Sequence, residues 1–176
     1  MSLHIIVDGY NLIRQSPELA ELDRMDLELG RDALIQELAA YKRIRTNGHI
    51  TVVFDGTHAS IQGQKQHQKS GIHIVFSRPG ELADGVIKRM ASVERERAVV
   101  ISSDRDILQH AKAAGCAVLN AEDFVFRMQA ASQHEHEADA PEEEGSGGWV
   151  PSTRKKGPSR RPPRKQRKAR LRIDKL

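Results

Sequence analysis

Residues 3–131 alternate short β-branched runs with longer stretches of helical periodicity. LHIIVD (3–8), HITVVFD (49–55), IHIVFS (72–77), AVVIS (98–102) and CAVLN (116–120) are each brief, apolar and rich in Val and Ile. Runs of this kind, without polar alternation, fit strands covered on both faces of a sheet. Between them, Leu27, Leu34, Leu38 and Tyr41 recur at helical spacing, as do Leu82, Val86, Met90 and Val93, and then Ile107, Leu108 and Ala111. Ala121 to Ala131 reads as a closing helix with Phe124, Val125 and Met128 turned to the sheet. Asn47-Gly48 and Ala114-Gly115 stand directly ahead of strands, where helices commonly end. The pattern predicts one α/β domain over residues 1–131, a mainly parallel sheet between two helical layers.

The periodicity stops at Ser132. HEHEADAPEEEGSGG is acidic and then Gly-rich, with nothing to bury, which predicts a flexible linker over residues 132–150. Residues 151–176 are expected to form a disordered basic tail. Pro158, Pro162 and Pro163 oppose a helix in its first half, whereas RKQRKARLRIDKL is suited to become helical on a partner.

Charge sharpens this division. The formal net charge of +4 over 176 residues conceals a tail of +11 and a remainder, residues 1–150, of −7. Six of those acids fall in residues 134–144, so residues 1–133 are nearly neutral. The tail is therefore the polyanion signal, with Arg160, Arg161, Arg164, Lys165, Arg167 and Lys168 as candidate RNA phosphate contacts and Trp149 as a candidate stacking residue. No apolar run approaches the roughly 20 residues of a bilayer span, and no amphipathic apolar face suggests a membrane surface. The N-terminus MSLHIIVDGYN lacks the features of a secretory signal. A single cysteine, Cys116, excludes a disulfide framework and reads as a small buried residue. These features predict a cytoplasmic protein without membrane partners.

In open parallel sheets, ligands bind beyond the carboxyl ends of the strands, where strand order reverses. Those ends carry Asp8, Asp55 and Ser102-Ser103-Asp104, and the third run leads through Arg78 to Glu81 and Asp84 in the first turn of a helix. Clustered carboxylates without His or Cys partners favour a hard cation, magnesium or manganese, which suits phosphodiester chemistry. Each acid also has a structural use: Asp104 and Asp106 as helix caps, Glu81 and Asp84 as dipole partners, Asp55-Gly56 as a turn. Asp8, ending a buried strand, has the least structural use of the set. No P-loop, GxGxxG, GxSxG or HExxH motif offers a competing chemistry.

At IVDGYNLI (6–13), together with VVFDG (52–56), FSRPGELAD (76–84) and ISSDRDI (101–107), the chain resembles the YacP-like branch of the NYN domain family. The resemblance implies a PIN-like nuclease fold with sheet order 3-2-1-4-5, and metal-dependent endoribonuclease activity. It also implies RNA as partner, with mRNA on the ribosome as one setting. By position it implies that Asp8, Asp84 and Asp104 hold Mg2+ or Mn2+, that Asn11 orients a phosphate or water, and that Arg78 contacts RNA. Asp55, Glu81 and Asp106 are additional acids, and Leu82 stands where the family usually has Thr. The polar loop THASIQGQKQHQKSG (57–71) supplies Lys65 and Lys69 as further candidate RNA contacts. The alternative to an active nuclease is an RNA- or ribosome-binding adaptor with a weak or inactive site, which Leu82 favours. A haloacid-dehalogenase-type phosphatase would need its nucleophile at position 53, which is Val53.

Overall fold

The computed structural model describes residues 3–45, 48–56, 66–138, 164–174 and 176. Five strands run parallel: β1 (His4–Asp8), β2 (His49–Phe54), β4 (Ile72–Phe76), β5 (Ala98–Ile101) and β6 (Ala117–Leu119). The short β3 (Gln66–Lys69) pairs antiparallel with β4 at one edge, giving the order β3-β4-β2-β1-β5-β6. The five predicted strands thus stand in the expected order, and β3 is an addition within the stretch expected as a loop. QHQK carries none of the β-branched signal that marks the other strands, and it is held by pairing with β4 rather than by propensity.

Ile5, Val7, Val52 and Phe54 face one layer, α1 (Gly9–Gln15), α2 (Pro17–Met25), α3 (Leu27–Arg45) and α6 (Ala121–Ala138). That face is filled by large side chains, among them Leu12, Leu34, Leu38, Tyr41, Phe124 and Met128. Ile6, Val53 and Val100 face α4 (Ala83–Glu94) and α5 (Arg105–Ala114). That face mixes small side chains, Ala83, Ala91, Ala98, Ala111 and Cys116, with Val86, Ile87 and Ile107. Cys116 is buried as expected, and burial pushes its thiol up to about 11. Gly115, at φ 100°, ends α5 in the left-handed conformation that the sequence signalled.

Three helical details differ from the sequence pattern. Leu82 and Val93 are exposed, because α4 begins only at Ala83 and buries Ala83, Val86, Ile87 and Ala91 instead. The closing helix α6 continues past Ala131 to Ala138. Within the expected basic tail, α7 (Arg164–Ile173) is helical against the body of its own chain rather than awaiting a partner. Ala169 and Ile173, four apart, pack on the core, and Leu176 is buried within it. Arg172 Nη1 donates to the carbonyls of Glu96 and Gly115, and Arg127 Nη1 to that of Ile173 at 3.1 Å. Among the described residues no helix is long and apolar enough to cross a membrane.

Candidate active site

Strand order reverses between β1 and β5, its central neighbour on the other side, so their carboxyl ends flank the crevice where such sheets bind ligands. Val7 is in register with Ile101, which sets Asp8 beside Ser102. Helix α1 starts with no intervening loop because Gly9 has no side chain: a Cβ there would lie 2.3 Å from the Phe54 ring. Asp8 consequently becomes the N-cap of α1, a structural use the sequence reading did not assign it.

Both Asp8 oxygens are held. Oδ1 accepts the Asn11 backbone N–H at 3.3 Å and Oδ2 accepts the Ser102 hydroxyl at 2.9 Å. Only 9% of Asp8 is exposed. Burial pushes its carboxyl up to about 6; the Ser102 and Asn11 hydrogen bonds oppose that shift, and the like charges of Asp84 and Asp104 add to it. Asp84 and Asp104, expected at one site with Asp8, thus both lie within electrostatic reach of it.

The β5–α5 turn is fixed by the same network. Asn11 Oδ1 accepts the Ser103 N–H at 2.9 Å, and the Asp104 N–H donates to Ser102 Oγ at 3.1 Å. Asp104 Oδ1 caps α5 by accepting from the N–H groups of Asp106 at 2.7 Å and Ile107 at 3.3 Å. Capping does not take Asp104 away from Asp8: one oxygen closes the helix while its charge bears on Asp8.

The additional acids are arranged differently. Glu81 precedes α4 instead of lying in its first turn, and its carboxylate is bonded to Arg89 at 2.5 Å, which holds it below the usual range. Asp106 is paired with Lys88, which lowers its carboxyl in turn. Lys88 is the cation of the cluster: Asp106, Asp84 and Asp104 all hold its proton more tightly. Sequence reading missed it, although its position four residues after Asp84 on one helix was a usable signal. Tyr10 and Arg31 were likewise not singled out, and Ser102 was named only as part of the strand end.

Asp55 follows β2, and Gly56 approaches Ser77 so closely that a Cβ would lie 2.1 Å from its carbonyl oxygen. Arg78 is exposed and, with Glu81 and Arg89, lines a cleft of about 320 Å³ on the α4 face. Lys69 is not brought to the site: it pairs with Ile72 at the start of β4, the opposite end of the sheet, and binds Asp32 at 2.8 Å. Lys65, Trp149, Arg160 and Arg161 lie outside the described residues. Arg164 and Lys165 open α7, and Arg167 and Lys168 are exposed on it.

Among the described residues no three His, Cys, Asp or Glu side chains converge tightly enough to chelate an ion directly. The donors present are hard oxygens around a carboxylate whose charge is disfavoured chiefly by burial. They fit a hard divalent cation held through one or two carboxylates and its own water, and they do not fit a soft metal.

Known proteins bear on this arrangement. YacP of Bacillus subtilis (strain 168) is 34% identical over 87 residues, 49% of this chain and 50% of that protein. The chain thus spans about half the length of the curated relative it matches. The crystal structure of Rae1 (YacP) from Bacillus subtilis is similar at TM-score 0.65 and 26% identity, covering 78% of this chain and 79% of that one. A single-site mutant of the same protein is similar at TM-score 0.63 and 25% identity, with 78% and 80% covered. The family model of the YacP-like NYN domain matches residues 5–156, the full sheet and the carboxylate edge included, and the chain belongs to that family of nuclease-like, PIN-type domains.

Proposed function

We propose that the chain is a metal-dependent endoribonuclease that hydrolyses phosphodiester bonds of single-stranded RNA at the carboxyl ends of β1 and β5. The observation that carries this reading is Asp8: a buried carboxylate, fixed at both oxygens, whose proton affinity is raised by burial and by Asp84 and Asp104. Such an arrangement is unfavourable unless a cation offsets it. Asp8, Asp84 and Asp104 would hold Mg2+ or Mn2+, which supplies polarisation of the phosphodiester and offsets charge on the leaving oxygen.

The chain's own residues do the rest. Asn11 and Ser102 keep Asp8 in one orientation, and the Asn11–Ser103 bond locks α1 to the turn that carries Asp104. Lys88 limits the repulsion among Asp84, Asp104 and Asp106. Arg78, exposed beside the cleft, contacts RNA phosphate, and Asn11 orients a phosphate or an attacking water. Arg160, Arg161, Arg164, Lys165, Arg167 and Lys168 add phosphate contacts, those of Arg167 and Lys168 on α7 remote from the site, which suits a structured RNA such as a ribosome carrying mRNA.

Purified protein and its Asp8→Asn, Asp84→Asn and Asp104→Asn variants, incubated with end-labelled single-stranded RNA and Mg2+, Mn2+ or EDTA, test the reading. Internal, metal-dependent cuts are expected from the unaltered chain, with a loss of at least a hundredfold in each variant and RNA affinity nearly kept. Full activity in Asp8→Asn would remove Asp8 from the mechanism. Leu82 favours a second reading, an RNA-binding adaptor with a weak site, because it leaves the N-terminus of the Asp84 helix without a side-chain cap. Salt-sensitive RNA binding with intact RNA under every condition, ribosome-bound substrate included, would select it.

A further inference from the structure

We propose that Arg31 and Tyr10 form a phosphate-binding subsite beside the Asp8 cluster, taking one backbone phosphate of the RNA next to the bond that is cut; this rests on the nuclease reading. Arg31, on α3, is only 6% exposed. Arginines with so little exposure are paired as a rule, because a buried charge without partners is costly. Among the described residues Arg31 has no carboxylate within ion-pair distance. Its guanidinium carries five N–H donors, yet among the described residues it makes one hydrogen bond, to the Tyr10 hydroxyl at a long 3.4 Å.

The guanidinium is nonetheless held in place. It lies over the Phe76 ring, 5.6 Å from the centroid. Phe76 stacks on Phe54 at 5.7 Å, and Phe54 meets the Tyr10 ring edge-on at 5.2 Å. Phe54 and Phe76 are the last residues of β2 and β4, and Tyr10 lies in the first turn of the helix that Asp8 caps. Arg31 is thereby fixed at the same sheet edge as the carboxylates, displaced toward β4.

Asp23 does not satisfy it. Asp23 feels the Arg31 charge without forming an ion pair with it, and its buried Oδ1 has no hydrogen-bond partner among the described residues. A rigid, under-used fork of donors fits a phosphate, which accepts two parallel N–H bonds. Asp23 and Asp55 both bear on Tyr10, so the surroundings are not a broad basic patch and the Arg31 fork is what a phosphate would meet.

The test is a salt titration of a short labelled single-stranded RNA, in EDTA, against the full chain and its Arg31→Gln and Arg31→Lys variants. Arg31→Gln is expected to bind roughly tenfold more weakly and to lose about 0.7 from the log–log salt slope, the share of one phosphate. Arg31→Lys is expected to keep that slope while losing affinity, because charge remains but the fork does not. Unchanged affinity and slope in a folded Arg31→Gln would make the guanidinium a packing element and overturn the subsite.

Should Arg31→Gln fail to fold, the unaltered chain can be titrated with RNAs carrying one neutral methylphosphonate at each position in turn. A linkage whose neutralisation weakens binding roughly tenfold in the unaltered chain and in Arg78→Gln alike supports the subsite, and indifference at every position overturns it. RNA cut in an Asp8-dependent way with Arg31 indifferent would sink the subsite alone. No RNA binding by the unaltered chain would sink the nuclease reading and the subsite with it.

Discussion

Asp8 has two roles that pull against each other. As N-cap and acceptor for Ser102 it ties β1 to α1 and β5, yet ionising it in a buried, acid-lined position costs folding free energy. Because its folded pKa is raised from 3.8 to about 6, the folded state holds the proton more tightly than the unfolded chain. The stability this group contributes is fully present below about pH 4 and is lost as pH rises through about 6. Two pKa units amount to about 3 kcal/mol at most. Asp8→Asn cannot titrate, so its stability relative to the unaltered chain should improve between pH 4.5 and 7.5 in the absence of divalent metal. Thermal melts across that range measure it; a difference that stays flat with pH would mean Asp8 ionises freely.

At this scale the site was partly legible. Asp8, Asp84 and Asp104 could be placed because each sits where a buried strand ends or a helix begins, and the topology then fixes a shared edge. Lys88 carried a signal in its position four residues after Asp84 that went unused, whereas Arg31 could not be placed, since a cation on a helix looks the same in sequence whether it faces water or an aromatic ring. Glu81 and Asp106 were equally ambiguous, and Arg89 and Lys88 decide their orientation.

Helix α4 carries Asp84, and its start is the weakest local fit between sequence and structure. Leu82 holds the extended backbone of an N-cap, φ −82° and ψ 153°, with no side-chain oxygen to accept an N–H and two thirds of its surface exposed. Leu82→Thr should therefore stabilise the fold by about 1 kcal/mol, the usual worth of a hydroxyl cap, without burying or unburying anything. Denaturant titration reads that gain. If activity rises along with it, the uncapped turn was also loosening Asp84; no gain in stability would mean that water already satisfies those N–H groups. The other misread elements share a cause. Four polar residues of β3 and a three-residue apolar stripe in α7 and Leu176 acquire their structure from what they pack on, which periodicity over so few residues does not report.

Across the whole molecule, the basic helix and the carboxylates stand at opposite ends of the sheet. Arg172 binds carbonyls just ahead of β5 and β6, and Tyr41, near the end of α3 where the chain turns toward β2, donates to the carbonyl of Leu176. Asp8 and Asp104 follow the far ends of β1 and β5. A single strand threaded past Asp8 has no short route to α7, so contacts there belong to a different stretch of RNA. Deleting residues 151–176 is a poor test of this, because it also strips Leu176 from the core. Neutralising exposed Arg167, Lys168 and Arg170 to Gln leaves Ala169, Arg172 and Ile173 to hold the helix. That triple variant should cleave a short RNA at the unaltered rate. On a long structured RNA it should bind more weakly and lose up to about 2–3 from the log–log salt slope, near one per phosphate given up. Equal losses on short and long RNA would place α7 within reach of the substrate strand. No loss on either would leave the basic helix to a partner other than RNA.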